Sequence, residues 1–158
     1  MAEECSLYRA IKEDPIASKE LEVVFQNNWG ITADVDSTCL VCGGDPYEKL
    51  AQIIPKNRTI YDFGAAYGFQ SFWFRNHKKY IGISPGTERP FRTKNSEWYD
   101  MTAQEFLSNY SIVEDSFVIC NYVPDDEAEA LIRLKCPHLF VNYVTHGDIS
   151  SMFKKEEE

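Results

Sequence analysis

The chain lacks the features that mark several classes of protein. No apolar run in its 158 residues approaches the roughly 20 residues that a membrane-spanning helix requires, so no membrane partner is expected. Residues 1–5 are acidic and lack the basic start and apolar stretch of a secretory signal, which predicts a cytoplasmic protein. Repeats are absent, and the tail at 154–158 is the one low-complexity stretch, which we expect to fray.

Clustered basic charge is also scarce. The formal net charge is −9, from 16 basic and 25 acidic side chains. Lys78-Lys79 and the segment 89–94 are short basic spots that could steer a small anion, although such spots are more often solvated surface. A wide phosphate-binding face needs more positive charge, so direct nucleic-acid binding is not expected. The acidic surface suits a basic protein partner better.

Five cysteines, an odd number, do not make a disulfide framework. Cys39 and Cys42 form a CxxC pair, which fits half of a zinc site, a redox dithiol or two semi-buried thiols in a loop. The tempting further ligands are Cys136 and His138, which directly precede a predicted strand. They should therefore lie at the amino edge of the sheet, whereas the CxxC pair precedes a helix that starts near the carboxyl edge. We predict no metal site.

A regular alternation of helix and strand patterns is present instead. The predicted elements are helical segments within 1–30, a helix at 46–54, a strand at 58–63, a helix at 66–76, a strand at 79–84, a short strand at 96–99, a helix from 102, a strand at 116–120, a helix from 125 and a strand at 139–144. Such alternation predicts an α/β fold, with a Rossmann-like, mostly parallel sheet of about five strands and helices on both faces. We expect an N-terminal helical extension and loop at 1–45, packed on a core domain at 46–153.

Several helix ends carry local signals. Asp14 followed by Pro15 is a plausible helix start, and Gly30 is placed to end that segment. Thr102 and Glu105 have the spacing of a capping box, in which each side chain bonds the other residue's backbone.

The strongest candidate for function is the turn Asp62-Phe63-Gly64-Ala65-Ala66-Tyr67-Gly68, between a predicted strand and a predicted helix. Gly64 lets the chain turn sharply, and Gly68 permits either close helix-to-strand packing or a close ligand. Ala66 stands where a GxGxxG or GxGxG loop would carry its middle glycine. Amide groups at a helix start favour electron-rich groups, so the turn predicts a nucleotide-like small molecule at the carboxyl ends of the strands.

These residues resemble the first motif of class I S-adenosylmethionine-dependent methyltransferases. The resemblance extends through 80–83, 98–100 and 117–121 and covers roughly residues 46–145. It implies S-adenosylmethionine as cofactor, with the turn along its methionine part, Asp62 orienting that part, and an adenine contact near Asp100. The cofactor-binding residues that it implies are Asp62, Gly64, Ala65, Ala66, Tyr67, Gly68, Ser84 and Asp100.

The chain departs from the family pattern in three ways. Ser84 stands where the family usually has an acidic residue that bonds both ribose hydroxyls, and Glu88 is near only in sequence. Asn121 and Tyr122 open a segment similar to the Asn-Pro-Pro-aromatic motif of amino-group methyltransferases, in a different order. They are the candidate catalytic residues, offering a carbonyl and an aromatic face to a target nitrogen. The family's last two strands are expected to be missing.

Other interpretations of the same residues stay open. Asp62 could cap the next helix or hold the turn, and Asp100 could directly precede the helix capped by Thr102. Tyr67 could cover the core edge. His146 follows the last predicted strand and could be a general base or an exposed turn residue.

Three functions are compatible with the sequence. The leading hypothesis is a small S-adenosylmethionine-binding protein of methyltransferase type, with an unknown substrate. The second is a non-catalytic interaction protein that keeps the fold and binds a protein partner through its acidic surface. The third is a nucleotide-binding module that uses the same turn.

Overall fold

The computed structural model describes residues 6–32, 45–113, 116–121, 135, 139–143 and 153–155. Its α-helices are α1 Ser6–Glu13, α2 Pro15–Trp29, α3 Asp45–Ile53 and α4 Ala103–Asn109, and a 3₁₀ helix spans Phe69–Phe74. Its strands are β1 Thr59–Phe63, β2 Lys79–Ile83, β3 Ser96–Tyr99, β4 Ser116–Asn121, β5 Leu139–Tyr143 and β6 Phe153–Lys155. No helix within these ranges is long and apolar enough to cross a membrane.

The strands form one sheet in the order β3-β2-β1-β4-β5-β6. The first five strands are parallel, and β6 is antiparallel to β5. This order is that of a Rossmann-like doubly wound fold, which confirms the predicted fold class. The sheet continues one strand beyond β5, where the sequence suggested that it ended. β6 includes Lys154 and Lys155, the first two residues of the tail that was expected to fray.

Local sequence signals set the helix ends as expected. The Asp14 carboxylate accepts bonds of 3.0 Å from the amides of Ile16 and Ala17 and so caps α2. Gly30 ends the same helix at φ 67°, in the left-handed region that glycine tolerates. The capping box is present in full: the Thr102 amide donates to Glu105, and the Glu105 amide donates to the Thr102 hydroxyl.

The predicted α-helix at 66–76 is wrong. Ala66 and Gly68 lie at φ 54° and 74°, which a right-handed helix cannot accommodate, so the helix starts only at Phe69. It is a 3₁₀ helix of six residues. Its three-residue turn sets Phe69 and Phe72 on one side, and both are buried. Phe74 is buried as well, whereas Trp73 is only partly buried.

Apolar clusters cover both sides of the sheet. One side of the sheet packs against α3 and the 3₁₀ helix, and we call it the α3 face. The apolar cluster there consists of Tyr47, Leu50, Ala51, Ile54, Ile60, Phe74, Tyr80, Phe117 and Ile119. The α4 face packs against α4 and contains Tyr61, Phe63, Ile81, Ile83, Phe106, Leu107, Val118 and Cys120. Strand residues alternate between the two sets because successive side chains of a strand point to opposite faces.

The α1–α2 hairpin packs on the 3₁₀ helix and on the loop after β2. The contact forms a third apolar cluster, in addition to the two on the sheet. In it the Phe25 ring packs edge-on against the Phe69 ring, with a distance of 5.9 Å between ring centres. Arg89 in the loop donates two bonds to the Glu20 carboxylate, at 2.6 and 3.0 Å, with both side chains largely buried. A forked pair of this kind fixes orientation as well as distance. The division of the chain at residue 45 stays a prediction.

Candidate functional site

The turn after β1 has an unusual backbone. Gly64, Ala66 and Gly68 all have positive φ, at 82°, 54° and 74°. The amides of Gly64 and Ala65 both donate to the Ile83 carbonyl, at 2.8 and 3.4 Å, which ties the turn to the end of β2. The turn therefore keeps a glycine-type path at all three alternate positions, although the middle residue is alanine.

The turn lies where ligands collect in folds of this type. From β1 the chain proceeds to β2 and β3 on one side, while β4 and β5 lie on the other. A reversal of this kind opens a crevice at the carboxyl ends of the two central strands, here β1 and β4. β4 pairs with β1 and ends at Asn121. The backbone thus brings the candidate Asn121 to the edge that carries the turn.

Asp62 is fully buried, and its carboxylate is held by three side-chain donors. The Tyr47 hydroxyl donates at 3.2 Å, Gln70 Nε2 donates at 3.0 Å, and the Tyr80 hydroxyl also donates. Burial raises the pKa of Asp62 to about 6, against the opposing effect of these bonds. The carboxylate therefore bonds groups in the protein interior, and through them it holds the turn. Holding the turn is one of the two structural roles that the sequence left open for Asp62.

Gln70 is a site residue that the sequence analysis missed. Its side-chain nitrogen lies 3.0 Å from both Asp62 Oδ2 and the Ala65 carbonyl, and 3.3 Å from the Tyr80 hydroxyl. One amide thus links β1, the turn and β2. No local pattern marks a lone glutamine for this role, since it depends on Tyr47 and Tyr80 arriving from other elements.

Trp98 is the second missed residue. Its indole lies over Gly82, its neighbour in register on β2, and reaches Gly68 in the turn. A Cβ atom at either glycine would overlap this ring. Gly68 consequently serves close packing, one of the two roles that the sequence allowed for it, and the packing partner is β3.

Ser84 and Asp100 also lie at the carboxyl edge. The Ser84 amide donates to the Tyr99 carbonyl at 3.1 Å, and the residue is half-buried. Asp100 is exposed, and its Oδ1 accepts a 2.7 Å bond from the amide of Gly86, which has φ 80°. Asp100 follows β3 and precedes the helix capped by Thr102, and its side chain fixes the loop between β2 and β3.

Tyr67 belongs to the junction with the N-terminal hairpin. Its ring lies 4.8 Å from that of Trp29, and its carbonyl accepts a 2.8 Å bond from the Phe91 amide. The residue covers an edge of the core, as the sequence allowed, and couples the turn to the loop after β2.

Few groups at this edge are able to meet a cofactor, and they include both backbone and side chains. They are the exposed turn at Ala66, the Ser84 hydroxyl and the second oxygen of Asp100. The Asp62 carboxylate does not fit the orienting role implied by the resemblance, because it is enclosed and bonded to three donors.

Several candidates fall outside the described residues. They are Cys39, Cys42, Tyr122, Cys136, His138 and His146, and the side chain of Asn121. Within the described ranges, no group of three or more His, Cys, Asp or Glu residues could hold a metal ion.

Comparisons with known proteins give structural similarity only. No protein-family model and no curated protein matches the chain. Among solved structures it is similar to precorrin-6y C5,15-methyltransferase from Geobacter metallireducens GS-15, with 14% identity and a TM-score of 0.49, over 62% of this chain and 60% of that one. It is also similar to a "Putative Type II Methyltransferase" from Anaeromyxobacter dehalogenans, with 16% identity and a TM-score of 0.47, over 65% of this chain and 48% of that one. The chain thus spans less than two thirds of either protein, and its fold class rests on the order and register of its own sheet.

Proposed function

We propose that the chain binds S-adenosylmethionine at the carboxyl edge of β1 and is a small protein of methyltransferase type. The observation that carries this proposal is the φ of 54° at Ala66, between Gly64 and Gly68. A residue with a Cβ in this region costs about 1–2 kcal/mol. Such strain persists only where the surrounding structure holds it, and it concentrates at ligand-binding sites.

The contacts around Ala66 supply that hold. The Thr87 hydroxyl donates to the Ala66 carbonyl at 3.3 Å, and Gln70 donates to the Ala65 carbonyl. The Asp62 carboxylate fixes Gln70 in turn. In this proposal Asp62 is a positioning residue that acts on the cofactor through Gln70 and the turn, without touching it.

The cofactor would meet the backbone of 64–67, the Ser84 hydroxyl and the Asp100 carboxylate. When bound, it supplies an electrophilic methyl group, and the contribution of the protein is to align an acceptor with it. Asn121 ends β4 at the same edge, and we propose that Asn121 and Tyr122 face the acceptor. The substrate class stays open.

Calorimetry with S-adenosylmethionine tests the binding step. We expect heat of binding for the wild type and none for Gly64→Val, since a branched side chain at φ 82° would distort the turn. Gly30→Val is the matched control: Gly30 also has positive φ, ends α2, and has nothing within 4 Å of an added Cβ. Circular dichroism establishes that both variants fold. Equal affinity in a folded Gly64→Val protein, or no heat at millimolar ligand with the wild type, contradicts the proposal.

A second function is favoured by one observation, the enclosed carboxylate of Asp62. A site in which the aspartate no longer contacts a cofactor could keep the fold without catalysis. Such a protein could bind a partner through its acidic surface. Incubation with methyl-labelled cofactor and cell extract separates the two functions. Label transfer supports the methyltransferase, whereas cofactor binding without transfer to any component supports the non-catalytic protein.

A further inference from the structure

A small groove lies beside the N-terminal end of α2. It is formed by the first turn of α2, the 3₁₀ helix and the segment 91–94, and its volume is about 240 Å³. Its floor is apolar, with Ala17, Phe72 and Phe91 all buried. Ile16 also lines it and is 76% exposed, which makes it the most exposed large apolar side chain among the described residues. We call this feature the basic groove, because basic side chains line it.

Three cations line the basic groove, namely Arg75, Arg92 and Lys94. Its one carboxylate is that of Asp14, which accepts bonds from two amides of α2. The local charge is thus positive on a chain whose formal net charge is −9. In the described part of the chain, no carboxylate forms an ion pair with any of the three cations. The neighbouring Arg89 differs, since Glu20 neutralises it.

The groove is built from fixed parts. The Arg75 guanidinium lies 3.9 Å from the centre of the Phe72 ring and donates to the Phe72 carbonyl at 2.9 Å. The Arg92 amide donates to Glu20 of α2 at 2.9 Å, which fastens the far wall. A preorganised wall lowers the entropic cost of binding.

We propose that the basic groove binds an acidic segment of a partner protein that inserts one large apolar side chain. The positive lining attracts acidic residues, whereas the negative charge on the rest of the chain would repel them. Acidic residues of a partner should therefore bind in the groove and not elsewhere on the chain. The volume is below the range of about 300–1,000 Å³ that is typical of sites for drug-sized ligands, and it suits a single side chain. The exposed Ile16 at the lining extends the apolar contact beyond the groove, as a protein partner requires.

Three short peptides test this with the full chain. They are acetyl-Asp-Glu-Trp-Glu-Asp-amide, the same peptide with glycine for tryptophan, and acetyl-Lys-Arg-Trp-Arg-Lys-amide. In a nitrogen-15 NMR titration at low ionic strength, we expect only the first peptide to shift the amides of 16–17, 72–76 and 91–94. Equal binding of the glycine peptide, or shifts confined to other residues, would overturn the proposal.

Charge reversal supplies the sharper test. The double variant Arg92→Glu with Lys94→Glu should weaken the binding of the acidic peptide at least about tenfold and allow the basic peptide to bind. Each exposed charge pair contributes a modest free energy, but two attractive pairs are here replaced by two repulsive ones. Lys78→Glu is the matched control: Lys78 is exposed and lies outside the groove lining, so the affinity should change less than about twofold. Benzyl phosphate serves as a small-anion probe. Its binding in the groove, with all three peptides failing, would overturn the proposal in favour of a small-molecule site.

Discussion

On the α4 face, β1 contributes Tyr61 and Phe63, which both pack against Phe106 with ring distances of 6.1 and 5.8 Å. On the α3 face, the same strand contributes Ile60 and Asp62, and the carboxylate needs three donors to be buried. The α4 face is held mainly by apolar contact, which is strong and independent of pH. The α3 face combines apolar contact with a polar network that is satisfied only as a unit and that supports the turn. The two faces should therefore respond differently to substitution and to pH.

Phe106→Ala should have the largest effect. Phe106 contacts the rings of Tyr61, Phe63, Tyr99 and Tyr110, so its loss leaves a cavity in the α4 face. We expect a loss of about 3–5 kcal/mol in the free energy of unfolding, measured in urea at neutral pH and again at pH 5. The loss should be the same at both values. Tyr110→Ala is the control, because Tyr110 is 44% exposed and should cost about 1 kcal/mol.

Asp62→Asn should remove a pH dependence that the α4 face lacks. The pKa of Asp62 is raised from 3.8 to about 6 in the folded state, so the folded protein holds a proton that the unfolded chain releases between these values. The resulting stability is full below pH 4 and is lost as pH rises through 6. This rise in the pKa of Asp62 corresponds to about 3 kcal/mol of stability.

The measurement is the difference between wild type and Asp62→Asn in urea unfolding from pH 4 to pH 8. This difference isolates Asp62 from His77, whose pKa is lowered by burial and whose effect on stability has the opposite sign. Tyr47 and Tyr80 face the carboxylate, and burial keeps the pKa of Tyr80 well above its usual value, so it stays protonated throughout. A constant difference across this range would show that Asp62 does not titrate there.

Gly82→Ala should cost about 1–3 kcal/mol, because the added methyl overlaps the Trp98 indole on the α3 face. The cost should fall by at least about 1 kcal/mol in a Trp98→Leu background, where the ring is absent. Urea unfolding of the two single variants and the double variant gives this coupling. Equal costs in both backgrounds would mean that Gly82 is needed for a reason other than Trp98.

Much of the fold was predictable because its signals are local. Asp14, Gly30 and the Thr102–Glu105 pair set helix ends through bonds to backbone within a few residues. Strand β3 was placed at 96–99, as found. The 3₁₀ helix was not predicted, since apolar spacing in a short segment does not distinguish three residues per turn from 3.6.

The site was predictable only in its backbone. The glycine pattern located the turn, but the role of each side chain was set by distant elements. Asp62 meets Tyr47 from α3 and Tyr80 from β2, while Trp98 arrives from β3. Such partners depend on strand register and crossover connections, which no local sequence pattern encodes. The roles proposed for Asn121 and Tyr122 stay predictions.

Ala66→Gly should have the smallest effect and the opposite sign. Glycine at φ 54° avoids the cost of about 1–2 kcal/mol that an alanine bears there, while it adds about 0.5–1 kcal/mol of backbone entropy to the unfolded chain. The net result is a gain of about 0.5 kcal/mol, measured as a higher urea midpoint at an unchanged slope. Gly30→Ala is the mirror control: Gly30 has φ 67° and free space around it, so alanine there should lose stability for the same reason. A loss on Ala66→Gly would mean that the turn does not bear this strain, and the case for a ligand site built on Ala66 would lose its main support.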